Sequence, residues 1–395
     1  MTKILQLTTY PTRYPRHGGQ LRAHHTARVL EESGYILDRM PVFSQSLYPR
    51  GGEDPAVDLD QARTKRRFRD TWQVMDLTTC ELAAVDNTCF QKFADRIQAS
   101  DADILMLEEP WLWPAVWRWR DSLSAPPPVV YNAYDIEYRA KAAMLVEAKV
   151  SGADDICADV EALERDLTQC AAGSSATTAE DAATMQAWTE NRVVVARNGT
   201  ILRKVEHLHH ILPVPLEPCQ KFLLFVGSGQ PPNFTGFWDM VIPALSTLRA
   251  GERIVVAGSV SQLIESRIEK DGPLCMARDR LILLGQVNDL TLECLLCNAA
   301  GILLPITYGG GSNLKTAEAL ISGLPIVGTT HAFRGFEEYK SLPAVTIEDD
   351  PTAFAVGIRR AFNSKGSPRA IHLQKQLLWE STLQPIVDLV STIAS

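Results

Sequence analysis

The sequence lacks several features that would place the protein in a specialised class. It contains no uninterrupted apolar run of about 18 residues, the length that a bilayer-spanning helix needs. The formal net charge is -8, whereas a general nucleic-acid-binding protein normally carries a basic excess. The N-terminal residues run directly into a strand-like segment without the long apolar segment of a secretory signal. We therefore expect a cytoplasmic protein with no nucleic-acid partner.

Cysteine and histidine are too scattered to predict a metal site. The eight cysteines show no paired framework, which is typical of reduced thiols inside a cell. One Cys-x-x-Cys, from Cys294 to Cys297, lies in an apolar helix-like stretch without a second pair or a nearby histidine. The cluster from His207 to His210 lies in a proline-flanked connection, where solvated histidines are ordinary. We predict no metal and no cofactor.

A repeated alternation of strand-like and helix-like segments is what the sequence does contain. It runs from Lys3 to Gly199, and a second alternation runs from Phe222 to Ile347. Prolines and histidines interrupt the pattern from Val205 to Pro218. With 395 residues, the chain suits two α/β domains, each a doubly wound parallel sheet. We predict an N-terminal domain at 1–204, a linker at 205–218 and a C-terminal domain at 219–375.

Two details of the first alternation are specific expectations. A helix is predicted from about Gln20 to Glu32, with Gly18 and Gly19 in the loop just before it, and one long helical region is predicted from about 137 to 168. The first strand is not followed by Gly-x-Gly-x-x-Gly, which makes a dehydrogenase less attractive.

The stretch from Tyr308 to Pro325 carries the strongest functional signal. It follows a buried strand-like run and contains three successive glycines, which let the backbone approach a ligand closely. Ser312 or Asn313 is predicted to cap the following helix at its start, and Gly323 to end it. Free N–H groups at a helix start favour an anion, and phosphate is the best match.

Two charged residues on that helix extend the signal. Lys315 adds a positive charge at the helix start, and Glu318 has a carboxylate that can accept hydrogen bonds from sugar hydroxyls. The alternative is a tight glycine turn with Lys315 and Glu318 as an ordinary surface pair.

This stretch resembles the donor-binding motif of family 4 of the nucleotide-sugar glycosyltransferases. Those enzymes are retaining and have the GT-B fold, in which two Rossmann-like domains face each other across a cleft. In their Glu-x7-Glu pattern the second Glu contacts the nucleotide ribose and the first contacts the transferred sugar. Glu318 matches the second position, whereas the first falls on Gly310. The resemblance also implies that the C-terminal helix, about 376–395, joins the N-terminal domain.

The resemblance extends to other donor-binding positions. The turn from Gly227 to Asn233 is similar to one subgroup's Val-Gly-Ser followed by Pro-Pro-Asn, and the resemblance implies a nucleobase contact at Val287. Many relatives carry an Arg and a Lys shortly after the preceding strand; because neither occurs here before Arg249, Lys315 is the best remaining cation. The predicted donor-binding residues are Gly18, Gly19, Gly227, Ser228, Asn233, Val287, Gly309, Gly310, Gly311, Ser312, Asn313, Leu314, Lys315, Thr316 and Glu318.

Carboxylates of the first alternation are candidates for the acceptor side. Glu108 and Glu109 end a buried strand, at the edge where parallel sheets collect ligands, and we prefer Glu109 for contact with the acceptor or the reacting centre. A mere surface carboxylate is the alternative. The segment from Tyr134 to Glu137 lies where relatives often read His-Asn-Val-Glu, which adds Asp135 and Glu137. The catalytic candidates are Glu109, Lys315 and Glu318.

A basic run precedes an aromatic-containing segment in the first half. If it is helical, Phe68, Trp72 and Met75 line one side and the basic residues flank it, a pattern that suits an anionic membrane surface at the inner face. The alternative, which we favour, is a solvated face with two aromatics tucked inward. The basic residues are Arg63, Lys65, Arg66, Arg67 and Arg69.

Taken together, these features predict a metal-independent, hexosyltransferase-like glycosyltransferase. It would move a sugar from a nucleoside-diphosphate sugar to a sugar, lipid-linked or other hydroxyl acceptor, in the synthesis of cell-surface polysaccharide, glycolipid or related glycoconjugates. Retention of anomeric configuration is implied by the resemblance alone. Two alternatives stay open: a sugar-nucleotide 2-epimerase of the same fold, and a non-catalytic GT-B binding subunit, for which the glycine at 310 is the argument.

Overall fold

The computed structural model describes residues 1–49, 52–60, 75–202, 221–270, 278–366 and 371–395. Contacts between residues divide the chain into two compact units. Unit 1 comprises Met1–Asn198, Gly310–Ser312 and Thr382–Ser395, and unit 2 comprises Gly199–Gly309 and Asn313–Ser381. The predicted linker at 205–218 and the basic run at 63–69 lie outside the described residues, so the predicted domain limits and the membrane-facing surface stay predictions.

Unit 1 is built on a parallel sheet with the strand order β3-β2-β1-β4-β5-β6-β7 in the described residues. The strands are β1 Lys3–Thr8, β2 Ile36–Phe43, β3 Val57–Asp58, β4 Ile104–Glu108, β5 Val129–Asn132, β6 Gly173–Ala176 and β7 Val193–Val195. The helices are α1 Gly18–Glu32, α2 Met75–Val85, α3 Asn87–Ser100, α4 Trp113–Arg120, α5 Glu137–Glu147, α6 Ala153–Cys170 and α7 Ala179–Gln186.

Burial on both faces explains the sequence of the central strands. Every residue of β4 and β5 is buried, so these strands read as continuous apolar runs rather than as alternating ones. Ile4 of β1 is in register with Leu37 of β2 and with Ile104 of β4. Because all strands run the same way, the residues that follow them collect at one edge of the sheet.

Two of the sequence expectations for unit 1 are wrong in detail. Helix α1 begins at Gly18 rather than near Gln20, so Gly18 and Gly19 form its first turn instead of a preceding loop. The long helical region predicted for 137–168 is two helices, α5 and α6. Lys149 and Gly152 between them adopt left-handed backbone angles, which an α-helix does not tolerate, and the chain therefore turns there.

Unit 2 holds a second parallel sheet, with the order β10-β9-β8-β11-β12-β13 in the described residues. Its strands are β8 Lys221–Val226, β9 Glu252–Ala257, β10 Leu281–Leu283, β11 Gly301–Leu304, β12 Ile326–Gly328 and β13 Val345–Ile347. The α-helices that follow β8 along the chain are α8 Pro231–Gly236, α9 Val260–Lys270, α10 Asp289–Asn298, α11 Leu314–Ser322, α12 Pro351–Asn363, α13 Ile371–Leu377, α14 Trp379–Thr382 and α15 Gln384–Ala394. The last of these, α15, belongs to unit 1.

Helix α11 has both of the terminal signals that the sequence predicts. Asn313 is the N-cap, and its side-chain oxygen accepts a hydrogen bond from the N–H of Lys315 at 3.3 Å. Gly323 ends the helix with a φ of 76°, in the left-handed region that favours glycine. The cap at Asn313 fixes where α11 starts, and the left-handed Gly323 fixes where it ends.

The C-terminal helix α15 packs within unit 1, beside β6 and β7. A Cβ at Gly173 would lie 2.7 Å from a methyl carbon of Leu389, so the glycine in β6 allows the helix its close approach. In the part of the chain that the structure describes, no helix is both long and apolar enough to cross a membrane.

Candidate functional site

In unit 2, a lysine is held at the ligand-collecting edge of the sheet. The turn after β8 leads into α8, and the turn after β11 leads into α11, because the strands of this sheet are parallel. The Lys315 ammonium donates a hydrogen bond to Asn233 Oδ1 at 2.8 Å. Asn233 in turn donates through Nδ2 to the carbonyl oxygen and the hydroxyl of Ser228, each at 3.0 Å. The two loops thus position one cation together.

Burial changes the pKa of the Lys315 ammonium. It lowers the pKa of Lys315 to about 8 because the charged form is penalised by loss of solvent, and the Glu318 carboxylate opposes this effect. Lys315 and Glu318 are three residues apart on α11 and therefore lie on neighbouring parts of one helix face. A desolvated ammonium interacts more strongly with an anion than an exposed one does, because the effective dielectric constant is lower.

A further donor lies at the start of α11. The Nδ2 atom of Asn313 is buried and has no hydrogen-bond partner among the described residues. Buried polar groups are nearly always paired, so a donor left over in this position needs an explanation. With the positive end of the α11 dipole behind them, Asn313 Nδ2 and the Lys315 ammonium are donors that match an oxyanion such as phosphate.

Other predicted donor-binding residues of unit 2 have structural partners. The Thr316 hydroxyl is fully buried and donates to the carbonyl oxygen of Ala332. Gly309 has a φ of 129°, and its carbonyl oxygen accepts a hydrogen bond from the Arg334 guanidinium. Val287 is partly buried and packs against the apolar cluster beneath β8 and β9. Gly227 is buried, and Leu314 is partly buried.

In unit 1, Glu108 is part of a buried polar network. Its Oε1 accepts a hydrogen bond from Gln6 at 2.6 Å, and its Oε2 accepts from Asn132 at 2.6 Å and from the Tyr134 hydroxyl at 2.7 Å. Burial raises the pKa of Glu108, whereas these hydrogen bonds and the positive charge of Arg22 lower it. Because both oxygens already accept hydrogen bonds inside the unit, the arrangement serves the core more directly than a ligand.

Glu109, the next residue, has different surroundings. Its φ of 68° is unusual for a residue other than glycine, and such strain is concentrated at functional sites. Burial raises its pKa strongly, and the nearby carboxylates of Glu137 and Asp76 raise it further, whereas Lys141 lowers it. The surroundings of Glu109 therefore favour the protonated form of its carboxyl, which can donate a hydrogen bond.

Two titratable residues near Glu109, Glu137 and Lys141, lie on helix α5. Burial raises the pKa of Glu137, and Lys141 opposes the shift. The Lys141 ammonium is buried, lies 2.5 Å from a carboxylate oxygen of Asp76 and sits 5.0 Å from the centre of the Trp111 ring. The start of α5 is held by Glu164, whose oxygens accept hydrogen bonds from the N–H groups of Glu137 at 2.8 Å and Tyr138 at 2.9 Å.

Three residues of the predicted glycine loop, Gly310–Ser312, pack within unit 1. The N–H of Ser312 donates to the Thr177 hydroxyl at 2.7 Å, and the Ser312 hydroxyl accepts a hydrogen bond from the N–H of Asn198 at 2.8 Å. Asn198 Nδ2 also donates to the Ser312 carbonyl oxygen at 2.7 Å. A Cβ at Gly311 would lie 2.2 Å from the Tyr134 carbonyl oxygen, so only glycine fits there.

The first turn of α1 carries the other two predicted glycines. A Cβ at Gly19 would lie 3.0 Å from the hydroxyl of Tyr10, a contact tighter than most. The side chain of the N-cap residue, His17, makes no capping hydrogen bond to this helix. Across the described residues, no group of three or more His, Cys, Asp or Glu side chains is arranged to hold a metal ion.

Comparison with known protein families finds a match to part of the chain. Residues 220–364 match the family model of group 1 glycosyl transferases. The matched segment covers most of unit 2, which contains the Lys315 donors. No curated protein matches the sequence significantly.

Solved glycosyltransferase structures share the fold over the whole chain. Sucrose-phosphate synthase from Thermosynechococcus elongatus is 14% identical, with a TM-score of 0.66 over 100% of this chain and 96% of that one. The catalytic domain of starch synthase IV from Arabidopsis thaliana, bound to ADP and acarbose, is 11% identical with a TM-score of 0.63, over 100% and 98%. Anabaena HepE in complex with UDP-glucose is 14% identical with a TM-score of 0.58, over 100% and 98%. The predicted GT-B fold class is confirmed.

Several contacts of the site were not anticipated from the sequence. Asn233 and Lys315 were each named, but the bond that joins them was not. Neither Thr177 nor Asn198 was predicted as a site residue, although each follows a strand, β6 or β7, at the same edge as Glu108. Applying the strand-end rule to every strand of the sheet would have found both.

Proposed function

We propose that the protein is a glycosyltransferase that moves a sugar from a nucleoside-diphosphate sugar to an acceptor hydroxyl. The group 1 glycosyl transferase match over 220–364 supports the reaction class, and the shared GT-B fold is consistent with it. The observation that carries the proposal is in unit 2. The ammonium of Lys315 lies at the start of α11, together with Asn313 Nδ2, which has no partner among the described residues.

In this proposal the start of α11 binds the diphosphate of the donor. The positive end of the helix dipole, the N–H groups of its first turn, Lys315 and Asn313 all favour negative charge. Glu318 accepts hydrogen bonds from hydroxyls of the nucleotide ribose. The starch synthase and HepE structures contain ADP and UDP-glucose respectively, which makes a nucleoside diphosphate the natural first ligand to test.

The same donors serve the chemical step. As the bond between the sugar C1 and the diphosphate oxygen breaks, negative charge grows on the diphosphate and positive charge on the sugar ring. Each well-aimed donor to the departing oxygens contributes about 3 kcal/mol. A new bond forms from C1 to the acceptor oxygen. We propose retention of configuration without a divalent metal, with a diphosphate oxygen taking the acceptor proton on the same face.

The acceptor side belongs to unit 1 in this proposal. Glu109 would contact the acceptor there, and the raised pKa of its carboxyl favours the protonated form as a hydrogen-bond donor. The acceptor is a sugar, lipid-linked or other hydroxyl compound in cell-surface glycan or glycoconjugate synthesis. Cytoplasmic location, and membrane contact through the basic run at 63–69, stay predictions.

A thermal-shift screen over UDP-, GDP-, ADP- and TDP-sugars tests the donor assignment, because a ligand of the folded state raises the melting temperature. We expect one nucleotide series to do so. Product analysis with that donor then tests the reaction: transfer should require an acceptor, and NMR of the product should show the donor's anomeric configuration. Conversion of the donor alone to its 2-epimer would identify an epimerase instead, and no nucleotide binding would indicate a non-catalytic subunit.

A further inference from the structure

We propose that Asn233 is a positioning residue, which holds the ammonium of Lys315 in place for the donor's diphosphate and does not itself contact the diphosphate. The inference rests on the proposed function and deepens it, because it names the residue that orients the cation. This role differs from the direct donor contact that the sequence predicts for Asn233. All the residues concerned lie in unit 2.

The side-chain amide of Asn233 has one workable orientation. Its Nδ2 donates to the carbonyl oxygen and to the hydroxyl of Ser228, each at 3.0 Å, which uses both of the amide hydrogens. Its Oδ1 then accepts a hydrogen bond from the Lys315 ammonium at 2.8 Å. The reversed amide would place Nδ2 against the ammonium and Oδ1 against a carbonyl oxygen, and neither pair can form a hydrogen bond. Ser228 thus fixes an acceptor in front of Lys315.

Asn233 has no donor left for a phosphate group. Both of its N–H groups are engaged, and its Oδ1 only accepts hydrogen bonds, as ionised phosphate oxygens do. The residue is buried, with 5% of its surface exposed, so turning the side chain towards a ligand would break the bonds to Ser228. The diphosphate can therefore bind Lys315 but gains no hydrogen bond from Asn233.

Lys315 keeps donors that Asn233 does not use. An ammonium group has three N–H donors, and Asn233 is its one hydrogen-bond partner among the described residues, so two remain for a ligand. A lysine side chain loses much rotamer freedom when it is held in one geometry. Because Asn233 already holds the ammonium before the ligand arrives, less of that freedom is lost on binding.

The turn between β8 and α8 is better suited to hold a lysine than to bind phosphate directly. Helix α8 begins with Pro231 and Pro232, which have no N–H, so two of the donors that a helix start normally offers are missing. The N–H of Gly229 already donates to the Ser259 hydroxyl at 2.8 Å. The turn therefore contributes to an anion site through the lysine that it holds.

A double-mutant cycle tests the inference. UDP, GDP, ADP and TDP are titrated into the wild type by isothermal titration, and the one that binds is used. Asn233→Ala should weaken its binding about tenfold in the wild type but less than about twofold in Lys315→Ala, because a residue that acts through Lys315 has no effect without it. Asn363→Ala, at an exposed asparagine that ends α12, is the control and should bind like the wild type. Equal losses in the two backgrounds, or no loss in the wild type, would overturn the inference.

A pH profile separates positioning from a general loss of structure. Asn233→Asp keeps the size of the side chain and an acceptor for Lys315, and its negative charge favours the ammonium. Affinity should therefore begin to fall at a pH about one unit higher than in the wild type. Glu318, whose charge also acts on Lys315, is unchanged in every variant. A disturbed turn would weaken binding without moving that fall, and an unmoved fall would overturn the inference. Failure of all four nucleoside diphosphates to bind the wild type would instead overturn the proposed function.

Discussion

The two units have the same doubly wound architecture and opposite chemistry at their ligand-collecting edges. In unit 1 the residues at the strand ends include the carboxylates of Glu108, Glu109 and Asp135. In unit 2 the corresponding groups are donors, chiefly Lys315 and the buried amide of Asn313. The fold sets where ligands collect, and a few residues after the strands decide what kind of ligand is suited to each unit.

The edges also differ in how far their polar groups are used internally. Glu108 accepts three hydrogen bonds from its own unit, whereas Asn313 Nδ2 has no partner among the described residues. The first arrangement stabilises the fold, and the second leaves a donor for a ligand. Mutations at the edge of unit 1 should therefore change stability, and mutations at the edge of unit 2 should change ligand binding and catalysis.

The largest effect should follow Glu108→Ala. It removes one acceptor from each of the buried donors of Gln6, Asn132 and Tyr134, and at about 1–3 kcal/mol for each lost bond the free energy of unfolding should fall by about 4 kcal/mol. Urea unfolding measures it. Glu180→Ala, at an exposed position on α7, is the control and should change stability by less than about 0.5 kcal/mol. Equal stability of the two variants would remove Glu108 from the core network.

The next largest effect should be on catalysis, from Lys315→Ala. Removing one donor to the departing diphosphate should lower kcat about 100-fold or more. Release of nucleoside diphosphate in the presence of acceptor measures the rate. Lys365→Ala, an exposed lysine of unit 2, serves as the control and should be as active as the wild type. Wild-type turnover in Lys315→Ala would refute the cation assignment.

A smaller effect is expected for Glu318→Ala. Loss of a charged acceptor for ribose hydroxyls should weaken the binding of the nucleoside diphosphate about tenfold. The matched control is the ligand rather than a second variant: with a 2′,3′-dideoxynucleoside diphosphate, the wild type and Glu318→Ala should bind equally. A defect that persists with the dideoxy ligand would assign Glu318 a role other than ribose contact.

The smallest effect is a pH dependence of donor binding. Burial lowers the pKa of Lys315 to about 8, so its ammonium begins to lose its proton just above neutrality. A bound diphosphate favours the charged form, and affinity must therefore fall as the pH rises through 8, by about fourfold between pH 7 and pH 8.5. Titration at several pH values in wild type and Lys315→Ala checks this. A slope that survives in Lys315→Ala would belong to another group.

Local sequence signals predicted the framework well. The alternation of strands and helices, the cap at Asn313 and the left-handed Gly323 all depend on residues close together in sequence, and the structure contains each of them. The start of α1 and the break between α5 and α6 were missed. In both places the helix limit depends on the backbone angles of a few residues, which periodicity does not report.

Contacts between distant residues account for what the sequence could not provide. Glu108 looked like a ligand-facing carboxylate because it ends a strand, yet its partner Gln6 is 102 positions away. Gly310 stands at the position where the resemblance implies a Glu. In the structure, the carboxylate of Asp135 occupies the volume that a side chain at 310 would enter. A strand-end rule locates residues at an edge, but the direction of each side chain is decided by packing across the sheet.

The central claim is that the donor's diphosphate binds at the start of α11 in unit 2. A crystal structure of the protein with the nucleoside diphosphate selected by the thermal-shift screen tests it most directly. The account predicts phosphate oxygens at hydrogen-bond distance from Lys315 Nζ, from Asn313 Nδ2 and from the first N–H groups of α11. Phosphate oxygens bound anywhere else, with Lys315 still donating only to Asn233, would contradict it.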